Sequence, residues 1–359
     1  MGENEFSLDR FHRIVLEEIK EKLTCGTTSS DIPDQTETFL NRLIARASDS
    51  FAEDVFSKTK DLQEKHTESG KDFQIRNELR WETSFRELDI LIHTCRELGD
   101  FAKEYIWQDS NNIGKSLCEA ITTLHARSVR VSNEILALMR AGFPDGAMAR
   151  WRTLHELATI GKFLTLAGNE IAERYIAARI CQSKRAANRY ELRRVKANLP
   201  PLGENERRQI NEGYEEVLRL YGNEMKDDLG WATPFFSFKS TKARVTFDKI
   251  EEQVGLEHLQ PWVKFAHQEV HASFIPPYRG LGVSESSKTV HLVGPSDSGM
   301  VDPGQNMAIS LIISTDNLLN LRKSVDTAIY SASLGKMLAR IQKTLVKESG
   351  NYVSPHHSA

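Results

Sequence analysis

The residues best suited to chemistry lie close together in the middle of the chain: Arg150, Arg152, His155 and Glu156 fall within seven positions. The free pKa of a histidine lies near neutrality, so His155 suits general acid or base catalysis. Charged side chains this close together on one helix indicate either an enzyme site or a structural ion pair.

The spacing of these residues along a helix determines which of their side chains can meet. Arg152 and Glu156 are four positions apart, so their side chains can meet and form an ion pair. Arg150 and His155 are five positions apart and point about 140° away from each other. A catalytic site built from them needs a second chain or a distorted helix. The alternative is that His155 is a hydrogen-bonded core histidine and that the charged residues form a structural network.

The element that carries the cluster is predicted to be a helix enclosed by neighbours. It follows a glycine and proline stop signal at 141–144, and Asp145 is expected to cap its first turn. Between residues 145 and 167, nearly every face of the helix carries small or apolar residues, which is typical of a buried helix. Charges on such a helix are costly unless they are paired.

Helical periodicity extends over most of the chain and predicts an all-α fold. We expect a helical bundle with helical extensions at the N and C termini, and at most a short β-hairpin near 285–295. A polar stretch at 65–75 suits a linker, and a long helix is predicted over 306–346, either continuous or broken near Gly335. The predicted domains are a helical N-terminal extension (1–70), a central bundle that carries the charged cluster (71–275), and an irregular loop followed by a long helix (276–359).

Composition narrows the class of protein. The formal net charge of −3 excludes a basic surface spread over the whole molecule, although it allows a local basic patch. No apolar run approaches the roughly 18 residues of a membrane span, and no N-terminal signal is visible, so we expect a cytoplasmic protein without a membrane partner. The four cysteines are far apart and are expected to be reduced, and no cofactor is predicted.

His267 and His271 are four positions apart and can share one face of a helix, the spacing of two metal ligands. Glu269 lies between them, however, where the zinc-hydrolase motifs do not place a glutamate. We therefore predict no metal site. His271 is instead expected to close a helix end and to satisfy the Arg152–Glu156 pair.

A local basic patch follows the charged cluster. If RNA binds, this patch is where we expect it, because phosphate contacts come from lysine and arginine. The alternative is a solvated helix face. The candidate RNA-binding residues are Lys184, Arg185, Arg189, Arg193 and Arg194.

Two resemblances follow from these motifs. Gly142, the run from Ala149 to Glu156, Tyr175 and the box Val270-His271-Ala272-Ser273 resemble the bacterial domain-of-unknown-function family 5677 over about 110–275. That family has an Arg-x-x-x-Glu core on a buried helix and a Val-His-Ala-Ser box at a later helix end. It supplies no established activity, so the resemblance bears on the fold.

The second resemblance is the Arg-x4-His spacing of Arg150 and His155, which is similar to the motif of the HEPN ribonucleases. These are helical-bundle proteins of bacterial defence and toxin systems. The resemblance implies metal-independent RNA cleavage by a dimer, with His155 as general acid or base on the 2′-hydroxyl and Arg150 stabilising charge on the phosphate. On this resemblance Arg150 and His155 are the candidate catalytic pair, with Arg152, Glu156 and the distant His271 in support. Trp151, however, stands where a polar residue is typical of that family.

Two functions therefore remain open at the level of sequence, and whether the protein is an enzyme is undecided. One is a HEPN-like RNA endonuclease with RNA as its partner. The other is a non-catalytic interaction or sensor module in which the Arg-Glu-His network is structural. A homo-oligomer or a protein partner is expected in either case.

Overall fold

The computed structural model of the protein describes residues 17, 20, 32–236, 244–271, 274–276, 278–286 and 291–350. The chain divides into two compact units, Met1–Phe73 and Gln74–Ala359. The helices near the division are α1 (Ile32–Ser57) and α2 (Thr59–Arg80), and the division falls within α2.

The second unit continues with ten α-helices among its described residues. These are α3 (Glu82–Trp107), α4 (Ser110–Ile113), α5 (Lys115–Arg140), α6 (Pro144–Ala167), α7 (Asn169–Arg193), α8 (Glu204–Tyr221), α9 (Phe247–Val254), α10 (Gln260–Val270), α11 (Val301–Leu319) and α12 (Val325–Gly350). Four short 3-10 helices lie between them, at Asn223–Lys226, Gly230–Phe235, Glu257–Leu259 and Leu281–Val283. The described part of the chain contains no strand, so the all-α prediction is confirmed.

The helix α6 lies at the centre of the second unit, as its residue pattern predicts. It packs against α5, α7, α9, α10 and α11. Its buried side chains include Met148, Trp151, Leu154 and Phe163, and Trp151 Nε1 donates a hydrogen bond to Ser310 Oγ of α11 at 2.9 Å. Because neighbours cover most of its sides, any charge on α6 lies beside packed helices or at their edge.

Two local predictions need correction, and a third concerns a segment that lies partly outside the described residues. The polar stretch 65–75 is helical rather than a linker, because lysine, glutamate and glutamine favour helix even without an apolar face. In the segment 285–295, where at most a short β-hairpin is predicted, residues 291–293 have no regular structure and residues 287–290 lie outside the described part of the chain. Asp145 does not cap α6; its carboxylate accepts hydrogen bonds from the backbone N–H groups of Leu281 and Gly282 at 2.6 and 3.1 Å.

The C-terminal helix predicted over 306–346 is two helices, α11 and α12, and the break lies at 320–324. The N terminus of α12 shows the reason. Thr327 Oγ1 accepts a hydrogen bond from the N–H of Ser324 at 2.9 Å, and Ser324 Oγ accepts one from the N–H of Thr327 at 3.1 Å. This reciprocal capping pattern starts a new helix.

Candidate functional site

His155 lies on α6 and is fully buried beside a carboxylate from another helix. The distance from His155 Nε2 to Oε1 of Glu251 on α9 is 2.6 Å, and the side chains are 0% and 1% exposed. Glu251 is 96 positions away in sequence. The pair therefore fixes α6 to α9 inside the core.

The surroundings of this buried pair are closed to solvent. The second carboxylate oxygen of Glu251 accepts a hydrogen bond from Gln260 Nε2 at 3.2 Å, at the start of α10. The His155 ring packs against Trp151 and Phe247, with ring centroids 5.3 and 6.2 Å apart. His155 Nδ1 is buried and has no hydrogen-bond partner among the described residues. A general acid or base must reach its substrate, and this imidazole has no exposed edge.

Arg150 has different partners. Its Nε contacts the carboxylate of Glu134 on α5, and its Nη1 donates to Thr153 Oγ1 at 3.2 Å. In the described part of the chain no contact joins Arg150 to His155. The structure therefore places the two residues of the Arg-x4-His motif in separate environments, and a carboxylate neutralises the arginine.

Arg152 and Glu156 form the intrahelical ion pair that their spacing predicts, with Nε and Oε1 3.2 Å apart. The pair is only half-buried, since the two side chains are 26% and 41% exposed. It therefore does not carry the desolvation cost of a buried pair, and its expected contribution to stability is small, about 0.3–0.5 kcal/mol.

Two histidines of α10 and its C-terminal end lie near this ion pair. The rings of His267 and His271 stack with centroids 4.4 Å apart, and both residues are exposed. Desolvation lowers the pKa of His267, the charges of Arg152 and His271 lower it further, and Glu156 raises it. The structure thus brings Arg152, Glu156 and His271 together on one open surface with His267, which we call the α6–α10 cluster. Ala272 and Ser273 lie outside the described residues.

The five candidate RNA-binding residues are only partly free. Lys184 Nζ donates to Asn211 Oδ1 at 2.5 Å, and Arg185 pairs with Asp228 at 2.7 Å. Arg194 pairs with Glu191 at 2.8 Å. Arg189 and Arg193 are exposed on α7. Since three of the five cations are already engaged, the basic patch is weaker than its sequence indicates.

Sequence reasoning missed Glu251, the partner of His155. Its signal lies in the spacing of α9, where Phe247, Ile250 and Val254 fall at i, i+3 and i+7. Glu251 at i+4 shares that apolar face. An acidic residue on an apolar face predicts a buried partner, but it does not say which residue that partner is.

The described residues contain no group of three or more histidine, cysteine, aspartate or glutamate side chains placed to hold a metal ion. The stacked pair His267 and His271 therefore lacks a third protein ligand among them. Within the same residues, no helix has the length and apolar character that crossing a membrane would require.

Residues 119–287 match the model of a family described as "Family of unknown function (DUF5677)". The expected resemblance of the central part of the chain to this family is therefore confirmed. No curated protein and no solved structure matches the chain. The family has no stated activity, so the similarity to HEPN ribonucleases stays a prediction.

Proposed function

We infer that this protein is a non-catalytic binding or sensor module in which the buried His155–Glu251 pair is structural. One observation carries this inference. His155, the only histidine in the predicted catalytic motif, is 0% exposed and bonds at 2.6 Å to a carboxylate that is 1% exposed. A buried pair of this kind holds helices in register, whereas a catalytic imidazole needs contact with substrate.

The environment of Arg150 supports the same function. A phosphate-stabilising arginine has to offer free N–H donors to its substrate. Here Glu134 and Thr153 occupy donors of the guanidinium. RNA binding, self-association and a cytoplasmic location remain predictions for this module.

RNA cleavage is the second candidate function, and a different set of residues favours it. The stacked imidazoles of His267 and His271 are exposed, lie near Arg152, and could supply an acid, a base and a cation. Desolvation and the neighbouring Arg152 lower the pKa of His267, which favours the neutral ring that accepts a proton. On this hypothesis the HEPN-like activity would use the α6–α10 cluster in place of Arg150 and His155.

One experiment separates the two functions. The full-length protein is incubated with a labelled single-stranded RNA without added metal, and the RNA is analysed on a gel. The binding module predicts intact RNA with the wild type. Cleavage by the wild type would overturn it.

In that event the variants assign the site. Loss of cleavage in Arg150→Gln but not in Arg130→Gln supports the Arg-x4-His motif, because both arginines contact the same Glu134. Loss in a double variant with His267→Gln and His271→Gln supports the α6–α10 cluster. Circular dichroism of each variant confirms that it is folded.

A further inference from the structure

A groove of about 430 Å³ lies between α5, α7 and the 3-10 helix Gly230–Phe235. This volume lies within the range of small-molecule sites, roughly 300–1,000 Å³. All of its lining residues fall within the segment 119–287 that matches the family. The groove is therefore the natural place to look for a ligand of the binding module.

Two helix faces turn polar side chains towards the groove. Glu119, Thr123 and Arg127 follow one another at i, i+4 and i+8 on α5. Tyr175 and Arg179 are four positions apart on α7. Residues four apart lie on the same side of a helix, so each helix presents a continuous stripe to the groove.

The two arginines of the groove lack the carboxylate partners that several arginines of the central helices have. Arg150, Arg174 and Arg185 all have carboxylate partners. Arg127 and Arg179 are exposed, and neither has an ion-pair partner in the described part of the chain. Two unpaired guanidinium groups facing one groove attract an anion, and phosphate or carboxylate suits their planar donors.

The starts of the two helices indicate that Arg127 and Arg179 lie at a similar height along the axes of α5 and α7. The N–H of Leu117 on α5 donates to Asn169 Oδ1 on α7 at 3.1 Å, so the two helices begin side by side. Arg127 lies ten residues after Leu117, and Arg179 lies ten residues after Asn169. Because each residue advances a helix by 1.5 Å, Glu119 lies about 12 Å from Arg127 along α5. The groove thus has a cationic end and an acidic end.

Aromatic side chains form the wall of the groove. Tyr175 and Trp231 meet edge to face with centroids 5.0 Å apart, and Trp231 also packs against Phe163 at 5.9 Å. Burial raises the pKa of Tyr175, so its hydroxyl stays protonated at neutral pH. No hydrogen-bond partner for this hydroxyl exists among the described residues. The Tyr175 hydroxyl therefore remains available to donate a hydrogen bond to a ligand that contacts the Tyr175 ring.

We propose that this groove binds a nucleoside monophosphate, with its phosphate at Arg127 and Arg179 and its base against the ring of Tyr175, which packs on the buried Trp231. An N–H group of the base would face Glu119 at the acidic end. The proposal rests on the inferred binding function, because it names the ligand class of that module. It requires no reaction, only complementary charge and a planar ring.

The test is isothermal titration of the full-length protein with AMP, GMP, CMP and UMP, and with the four corresponding nucleosides and inorganic phosphate as partial ligands. We expect at least one nucleotide to bind, and its nucleoside and inorganic phosphate each to bind at least tenfold more weakly. Arg127→Gln and Arg179→Gln should each weaken nucleotide binding by about tenfold, the usual effect of losing a charge-assisted hydrogen bond. Arg130→Gln, which changes an exposed arginine of α5 that does not line the groove, is the matched control and should leave binding unchanged.

Two results would overturn the groove as the site. One is an absence of heat at millimolar concentration of all four nucleotides, and the other is unchanged affinity when both groove arginines are replaced. Either result leaves the binding module itself standing, because the RNA assay tests that separately. RNA cleavage by the wild type would instead overturn the non-catalytic binding function, whereas a measured nucleotide affinity would still support the groove as a binding site.

Discussion

Replacing His155 by alanine should be among the most damaging single changes in the central bundle. The change deletes a fully buried ring and its 2.6 Å hydrogen bond to Glu251. It leaves a carboxylate that is 1% exposed with Gln260 as its remaining hydrogen-bond partner. Breaking a buried pair by removing one partner costs about 3–5 kcal/mol. The loss of an aromatic side chain in a packed core has a similar size, about 3–5 kcal/mol, and the two effects overlap.

Urea denaturation followed by circular dichroism measures this loss. We expect the free energy of unfolding of His155→Ala to fall by about 3–5 kcal/mol. Glu251→Gln should cost about 1 kcal/mol, because the amide oxygen still accepts a hydrogen bond while the charge is gone. Glu156→Gln breaks the half-exposed pair with Arg152 and should cost less than about 0.5 kcal/mol.

The refuting result is equally concrete. If His155→Ala lowers the free energy of unfolding by less than about 1 kcal/mol, the His155–Glu251 pair does not hold the core together. The same result would remove the main support for a structural role of this histidine.

Two further predictions concern the core. Burial lowers the pKa of His125 to about 4, so the unfolded state binds its proton first as the pH falls, and stability declines from about pH 6.5 downward. The free energy of unfolding, measured by urea denaturation, should fall by about 2 kcal/mol between about pH 7.5 and pH 5. His125→Gln should make this free energy depend less on pH. An unchanged pH dependence in the variant would show that His125 is not its source. Gly161→Ala places a methyl group 2.8 Å from Asn317 Nδ2 and should lower the stability of the protein by about 1–3 kcal/mol in thermal melts. In the control Gly335→Ala, the added methyl group meets nothing within 4 Å and should stabilise α12 by up to about 1 kcal/mol.

Much of the fold follows from local patterns that a sequence displays directly. The enclosed helix α6 is predicted by small and apolar residues on nearly all of its sides. The Arg152–Glu156 pair is predicted by its i, i+4 spacing and forms at 3.2 Å. The break between α11 and α12 is also local, since Ser324 and Thr327 cap each other, but apolar periodicity across it suggests one helix.

The roles of the charged residues are a different matter. The sequence alone determines that Arg150, Arg152, His155 and Glu156 share one helix, because their spacing sets their bearings around its axis. It does not determine which of them is buried or what each one contacts. Burial depends on which helices pack against each face of this helix. A contact between residues far apart in sequence forms only when the helices of the bundle pack together.

Tertiary structure decided those contacts. It placed Glu251 of α9 against His155, Glu134 of α5 against Arg150, and the histidines of α10 near Arg152. Among the described residues, it also left Arg127 and Arg179 without carboxylate partners in the groove beside Tyr175. The physical reason is that the pairing of a charge depends on distance and solvent access, and the packing of separate helices sets both.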